Sequence, residues 1–151
     1  MTRTTDQTTR DRLEHILARL KEQGHRITPQ RLAILEVLAK SEGHPSAEQV
    51  HNAILPTFPT TSLATVYKTI ALLKQEGEII ELQFSELGNR YDGAKPYPHP
   101  HVICTRCGAI VDPEVLDLAE VTRRMAEETG FVIQGHRLDF FGLCPSCRTK
   151  K

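Results

Sequence analysis

The stretch Ser62–Asp92, SLATVYKTIALLKQEGEIIELQFSELGNRYD, changes its hydrophobic period part-way along, and that change decides the fold. Leu63, Val66, Ile70 and Leu73 recur at three-and-four spacing behind Ser62, a residue suited to cap a helix, and Gly77 stands where that helix ends. From Ile80 the period shortens. Ile80-Glu81-Leu82-Gln83-Phe84 alternates apolar and polar residues as a half-buried strand does, and Gly88-Asn89 offers a turn into Arg90-Tyr91-Asp92. A helix feeding a hairpin is the second half of a winged helix, and the first half lies upstream. Thr9 to Gln23 carries Leu13, Ile16, Leu17 and Leu20 on one stripe before Gly24. Thr28 and Pro29 open a helix whose buried face is Leu32, Leu35 and Leu38, with Gly43 beyond it. Ser46 and Gln49 form a capping box for a helix that buries Ala47, Val50 and Ile54 until Pro56.

Downstream of the hairpin the composition shifts. Pro96-Tyr97-Pro98-His99-Pro100 is too stiff for a helix and unsuited to a central strand. The expected organisation is a winged-helix domain over 1–86, a hinge over 87–94 and a small α/β unit over 95–151, an α+β class overall. In that second unit the pattern predicts strands at His101 to Cys104 and Ala109 to Asp112. A helix from Pro113 to Thr129 follows, with Leu118, Val121 and Met125 inward, and then further strand from Phe131 to Cys144. So short a unit has a meagre core and needs a metal staple, a partner subunit or both.

The whole chain has 151 residues, 39% apolar and 25% charged, which excludes a large enzyme scaffold and wholesale disorder. Nineteen basic residues balance nineteen acidic ones, so any attraction to nucleic acid comes from a local patch rather than a global field. No apolar run approaches the ~18 residues of a membrane span, and Met1 to Arg12 is polar, unlike a signal peptide. A cytoplasmic protein is expected, with no membrane partner.

The four cysteines fall as Cys104/Cys107 and Cys144/Cys147. Two such pairs place four soft, anionic sulfurs around one ion, satisfy tetrahedral Zn(II) completely and leave no position for a substrate. The site is read as structural zinc. A redox dithiol uses one such pair at a helix start, and four unrelated cysteines rarely pair twice. Among the histidines, His15, His25 and His51 sit in or beside helices and read as surface residues. His99 and His101 form an i, i+2 pair on an extended segment, so both imidazoles project to one side, ~7 Å apart. Asp92 and Asp112 are placed to add oxygen ligands, and a nitrogen and oxygen set without thiolate favours Fe(II) or Mn(II) over zinc. The competing reading of the histidine pair is a solvent-facing linker.

On the helix after Ser62, Ala64 and Lys68 point away from the inner stripe and Tyr67 lies at the edge. Small residues such as Ala64 and Thr65 let a helix sit deep in a groove, Lys68 can meet phosphate, and Tyr67 can lie against thymine methyls. Residues 1–40 hold eight basic and five acidic side chains, an excess that lets Arg19 approach a DNA backbone. The alternative is a solvated face on an ordinary bundle.

Several segments together are familiar: Arg26-Ile27-Thr28-Pro29-Gln30-Arg31, His44-Pro45-Ser46-Ala47, Thr65-Val66-Tyr67-Lys68-Thr69, Arg90-Tyr91-Asp92, His99 to Gly108 and Gly142 to Cys147. In order and spacing the chain resembles the ferric uptake regulator (Fur) superfamily of metal-responsive repressors. The resemblance implies a homodimer with no catalytic residues that binds an inverted-repeat operator in double-stranded DNA, Ser62, Ala64, Thr65, Tyr67, Lys68 and Arg19 being the matching contact candidates. It further implies a regulatory Fe(II) or Mn(II) between the domains, held by His44, Asp92, His99, His101 and Asp112. Aspartate at 92 and 112 is more like the peroxide-stress (PerR) branch, in which oxidation of a histidine ligand, here His44 or His99, releases DNA, with peroxide the only small-molecule signal. An iron-uptake regulator responding to Fe(II) is the alternative within the family. Most relatives have arginine where Lys68 stands, so a bidentate contact there becomes a single charge contact. Pro98 and Pro100 occupy positions through which some iron regulators bind a further metal, and their side chains cannot ligate. A metalloenzyme would need an open coordination position, a cleft and a general base, none of which the sequence signals. A zinc adaptor would need the cysteines but not the histidines.

Overall fold

The computed structural model describes residues 5–84, 87–114 and 117–150, and the chain divides into two units, Met1–Pro96 and Tyr97–Lys151. Of the sequence expectations, the first residues of the N-terminal domain, its last residue Glu86, and Val115 and Leu116 of the expected second-unit helix lie outside the described residues. Among those described, no helix is long and apolar enough to cross a membrane.

The first unit is a winged helix: α1 (Thr5–Glu22), α2 (Pro29–Lys40), α3 (Ala47–Ile54) and α4 (Leu63–Gln75), then the antiparallel pair β1 (Ile80–Phe84) and β2 (Gly88–Asp92). Local chemistry sets the helix starts. The Thr28 hydroxyl accepts from the Arg31 amide at 3.1 Å with Pro29 at the first turn, and Ser62 accepts from Thr65 at 3.2 Å. Ser46 and Gln49 form the reciprocal capping box, at 3.2 and 2.9 Å. The core gathers Ile16 and Leu20 of α1, Leu35 and Leu38 of α2, Val50 of α3, and Val66 and Leu73 of α4. On α2 the buried set is Ile34, Leu35, Leu38 and Ala39, whereas Leu32 is only half-buried: the helix is covered by α1, α3 and α4 together, so its apolar face is wider than one stripe. The Gly88-Asn89 pair is not the hairpin turn but already part of β2, where Gly88 (φ 71°) pairs with Phe84 and Asn89 with Gln83. Gly93 follows β2 against the backbone of Leu38, where a Cβ would stand 3.0 Å from the Leu38 carbonyl oxygen.

The second unit holds a three-stranded sheet in the order β4-β3-β5, with β3 (His101–Cys104), β4 (Ile110–Val111) and β5 (Asp139–Gly142), plus α5 (Ala119–Thr129) and α6 (Pro145–Arg148). β3 pairs antiparallel with β4 and parallel with β5, in the register His101↔Asp139 through Cys104↔Gly142. Three expectations change here. The helix begins at Ala119, not Pro113; the strand expected from Phe131 to Cys144 contracts to Asp139–Gly142; and Val121 and Met125, expected inward, are 53% and 44% exposed. Exposed apolar side chains also cover one side of the sheet, where Val111, Val102 and Phe140 are neighbours in register. The apolar pattern of this unit therefore marks surface that its own chain leaves uncovered, not a core.

Candidate functional site

The four cysteine sulfurs of the second unit lie within 4.8 Å of one another. Cys104 ends β3 and Cys107 follows in the turn closed by Gly108 (φ 74°), while Cys144 and Cys147 flank the start of α6. The Cys107 and Cys144 sulfurs are 3.8 Å apart, about the edge of a tetrahedron with metal–sulfur bonds of ~2.3 Å. Backbone amides of Cys107 and Cys144 aim at the Cys104 sulfur, the latter at 3.4 Å, and hold its thiol down to about 6. Cys147 is pushed up to about 12, first by its hydrogen bond with Cys144 and then by burial.

The second unit also gathers His99, His101 and Asp112. His99 Nε2 lies 3.2 Å from Asp112 Oδ2 and His101 Nε2 lies 3.7 Å from Asp112 Oδ1, with all three side chains largely buried. His99 Nδ1 sits 2.7 Å from the Tyr97 carbonyl oxygen, which accepts a hydrogen bond from Nδ1–H and so turns the Nε2 lone pair to the Asp112 side. His101 Nδ1 is 3.3 Å from Asp139, a carboxylate that sequence reasoning did not single out. Only the parallel register of β3 and β5 brings Asp139 there, and no local spacing signals it.

In the first unit, His44 Nε2 and Asp92 Oδ2 are 3.3 Å apart and both side chains are 1% exposed. His44 adopts φ 51°, a left-handed conformation uncommon outside glycine. Arg90 holds that loop: its guanidinium donates to the carbonyls of His44 and of Gly43, and the Tyr91 amide donates to Pro45. Asp92 is fixed from the other side, where its Oδ1 accepts from the amides of Ala94 and Lys95 at 3.0 and 2.9 Å. Burial lowers the Arg90 pKa from its ordinary value.

On α4, Ala64, Tyr67 and Lys68 are exposed, Thr65 is half-buried, and Ser62 spends its hydroxyl on the cap. The Tyr67 hydroxyl donates to Glu48 of α3 at 3.0 Å, which holds the phenol above its ordinary range. Arg19 of α1 lies 3.5 Å from Glu78. Of the histidines read as surface residues, His15 is exposed, but His25 reaches Glu76 at 3.1 Å and His51 lies 2.6 Å from the Thr61 carbonyl. These two are half-buried ties between elements.

Residues 22–141 match the model of the ferric uptake regulator family. The chain belongs to that family. It is 38% identical over 138 residues to the peroxide-responsive repressor PerR of Staphylococcus aureus, covering 91% of this chain and 93% of that one. The solved ferric uptake regulator Fur of Helicobacter pylori, described as having three functional metal binding sites, shares the fold with a TM-score of 0.80 at 26% identity over 95% of each chain. PerR of Streptococcus pyogenes, solved for the basis of its peroxide sensing and gene regulation, gives a TM-score of 0.52 at 35% identity, covering 89% of this chain and 92% of that one. Membership of the ferric uptake regulator family places the protein among metal-dependent transcriptional repressors, not enzymes.

Proposed function

We propose that the protein is a homodimeric repressor that senses peroxide through an Fe(II) site, accepts Mn(II) as alternative corepressor, and carries a structural Zn(II) on Cys104, Cys107, Cys144 and Cys147. One observation carries the sensing half of this reading: His99 and His101 turn their Nε2 atoms to the two oxygens of Asp112, at 3.2 and 3.7 Å. Donors about 3 to 4 Å apart suit neighbouring positions around an ion with bonds of ~2.0–2.2 Å. Two imidazoles and one carboxylate make a nitrogen and oxygen donor set without thiolate, which suits Fe(II) or Mn(II). His44 and Asp92 form a second buried set of matching chemistry, and a single ion held by both sets would tie the reading domain to the second unit. Binding then selects the domain arrangement that fits both operator half-sites.

Bound Fe(II) supplies the chemistry that activates hydrogen peroxide. With Fe(II) held there, His44 or His99 would be the residue to take one oxygen atom on its imidazole, the rest of the peroxide leaving as water, and the altered ring would be a poorer ligand. DNA contact is assigned to α4, with Ala64 and Thr65 admitting the helix to the major groove, Lys68 and Arg19 on phosphate, Tyr67 beside the bases and Ser62 at the helix start. A reducing cytoplasm keeps the four thiols available to zinc.

The test is anisotropy of a duplex selected from a random pool by Mn(II)-loaded protein, zinc present throughout. Mn(II) or Fe(II) is expected to tighten binding at least tenfold, and peroxide to undo this for Fe(II) only, with one oxygen on His44 or His99 by mass spectrometry. Unmodified histidines after peroxide reassign the protein to sensing of iron level, and metal-independent binding removes the reading altogether. The dimer has its own test. Phe140 is 46% exposed on the apolar sheet face beside Val102, so Phe140→Asp places a charge there. Sedimentation is expected to show the mass of one chain instead of two, with zinc retained; a Phe140→Asp dimer would exclude this face as the interface.

A further inference from the structure

We propose that Asp139 is a positioning residue for the regulatory metal: it holds His101 by Nδ1 so that Nε2 is presented to the ion. This rests on the reading of His99, His101 and Asp112 as ligands. The two nitrogens of an imidazole face opposite ways, and in His101 each faces a carboxylate, Asp112 on the Nε2 side at 3.7 Å and Asp139 on the Nδ1 side at 3.3 Å. A group on the Nδ1 side cannot share an ion with Nε2 of the same ring; it acts by accepting a hydrogen bond from Nδ1–H, which fixes the tautomer and makes Nε2 the better donor. His99 Nδ1 likewise has an acceptor, the Tyr97 carbonyl at 2.7 Å, so each ring faces an oxygen on its Nδ1 side and Asp112 on its Nε2 side.

Asp139 is itself built in. It is the register partner of His101 in the parallel pair of β3 and β5, the His101 amide donates to the Leu138 carbonyl at 3.1 Å, and its side chain is 8% exposed. Arg137 donates to its other oxygen at 2.6 Å, which leaves Oδ1 for the ring. The same two strands end at Cys104 and just before Cys144, so the cysteine cluster secures the register that delivers Asp139 to His101.

The experiment titrates Mn(II) into zinc-loaded full-length protein, reading free Mn(II) by electron paramagnetic resonance, for wild type, Asp139→Ala, Asp139→Asn and His99→Ala. Asp139→Ala is expected to weaken Mn(II) binding about 10- to 100-fold, with zinc content and thermal midpoint retained. Asp139→Asn keeps an oxygen that accepts from Nδ1–H and is expected to fall between wild type and Asp139→Ala. Histidine labelled with nitrogen-15, in the Mn(II)-free protein, is expected to show His101 carrying its proton on Nδ1 in wild type and mixing tautomers in Asp139→Ala. Wild-type affinity in Asp139→Ala, equal loss in Asp139→Ala and Asp139→Asn, or a tautomer indifferent to residue 139 overturns the proposal. If instead His99→Ala binds Mn(II) as wild type does, it is the ligand assignment that fails.

Discussion

Serine in place of Cys144 is expected to strip zinc from the cysteine cluster and unfold residues 97–151, while the helical unit before them keeps its own melting transition. The reason is the size of what remains. Among the described residues of the second unit, the buried apolar side chains are Ile103, Ile110 and two of the cysteines themselves, and α5 buries none. Two buried isoleucines contribute on the order of 3–6 kcal/mol, whereas a structural zinc site contributes an apparent ~10–16 kcal/mol at neutral pH. Cys144 also delivers its amide to the Cys104 sulfur, and Gly142 of β5 takes the Thr105 amide at 2.9 Å, so the cluster and the β3–β5 pairing stand or fall together. Serine matches the shape of cysteine but offers a hard hydroxyl that stays protonated and competes poorly for Zn(II). Metal analysis and limited proteolysis read the outcome: less than one zinc per chain, and cleavage confined to the second unit. The same loss is expected on acidification. Cys147 holds its proton up to about 12 without metal, so zinc must displace it, and affinity falls as pH falls. A zinc-free Cys144→Ser protein that resists protease would show that the sheet needs no staple.

What could be read before folding was whatever depends on near neighbours in the chain. The Ser46 and Gln49 capping box, the Thr28 and Pro29 helix start and the paired cysteines all work over a few residues, and the structure forms each of them. Period alone did less well where the covering partner is unknown. Leu118, Val121 and Met125 form a legitimate helical stripe, but a stripe does not say whether its cover is the same chain, and here Val121 and Met125 stay exposed. The expected turn at Gly88-Asn89 gives way to strand because a glycine with positive φ serves a strand end as readily as a turn centre, and Gly88 does the former. Asp139 was invisible for a different reason: its meeting with His101 is a product of parallel register, which no spacing in the sequence encodes. The tie between Tyr67 and Glu48 likewise needs α3 and α4 side by side before it exists.

Arg12→Ala is expected to destabilise the winged helix by about 3–5 kcal/mol, nearer the lower end, because it strands a buried carboxylate. Arg12 is 13% exposed and Glu78, just before the hairpin, 6%. The guanidinium donates to the Glu78 carboxylate at 2.7 Å, to the Glu78 carbonyl at 2.8 Å and to the Gly93 carbonyl at 2.7 Å. One side chain of α1 thus holds both ends of the wing, and the Gly93 bond comes immediately after Asp92, a proposed ligand. His15 and Arg19 approach the other Glu78 oxygen at 3.4 and 3.5 Å from more exposed positions and soften the loss without replacing it. Arg12→Lys keeps the charge but cannot donate to three acceptors in one plane, so it is expected to recover only part of the stability. Removing the stranded charge is the sharper control. Arg12→Met with Glu78→Gln is expected to be more stable than Arg12→Met alone, a coupling of roughly 1–3 kcal/mol by double-mutant cycle in urea, followed through helical circular dichroism of zinc-loaded protein. If the two substitutions add without coupling, the pair is a surface contact in energetic terms and α1 is held by its apolar stripe, Ile16 and Leu20, alone.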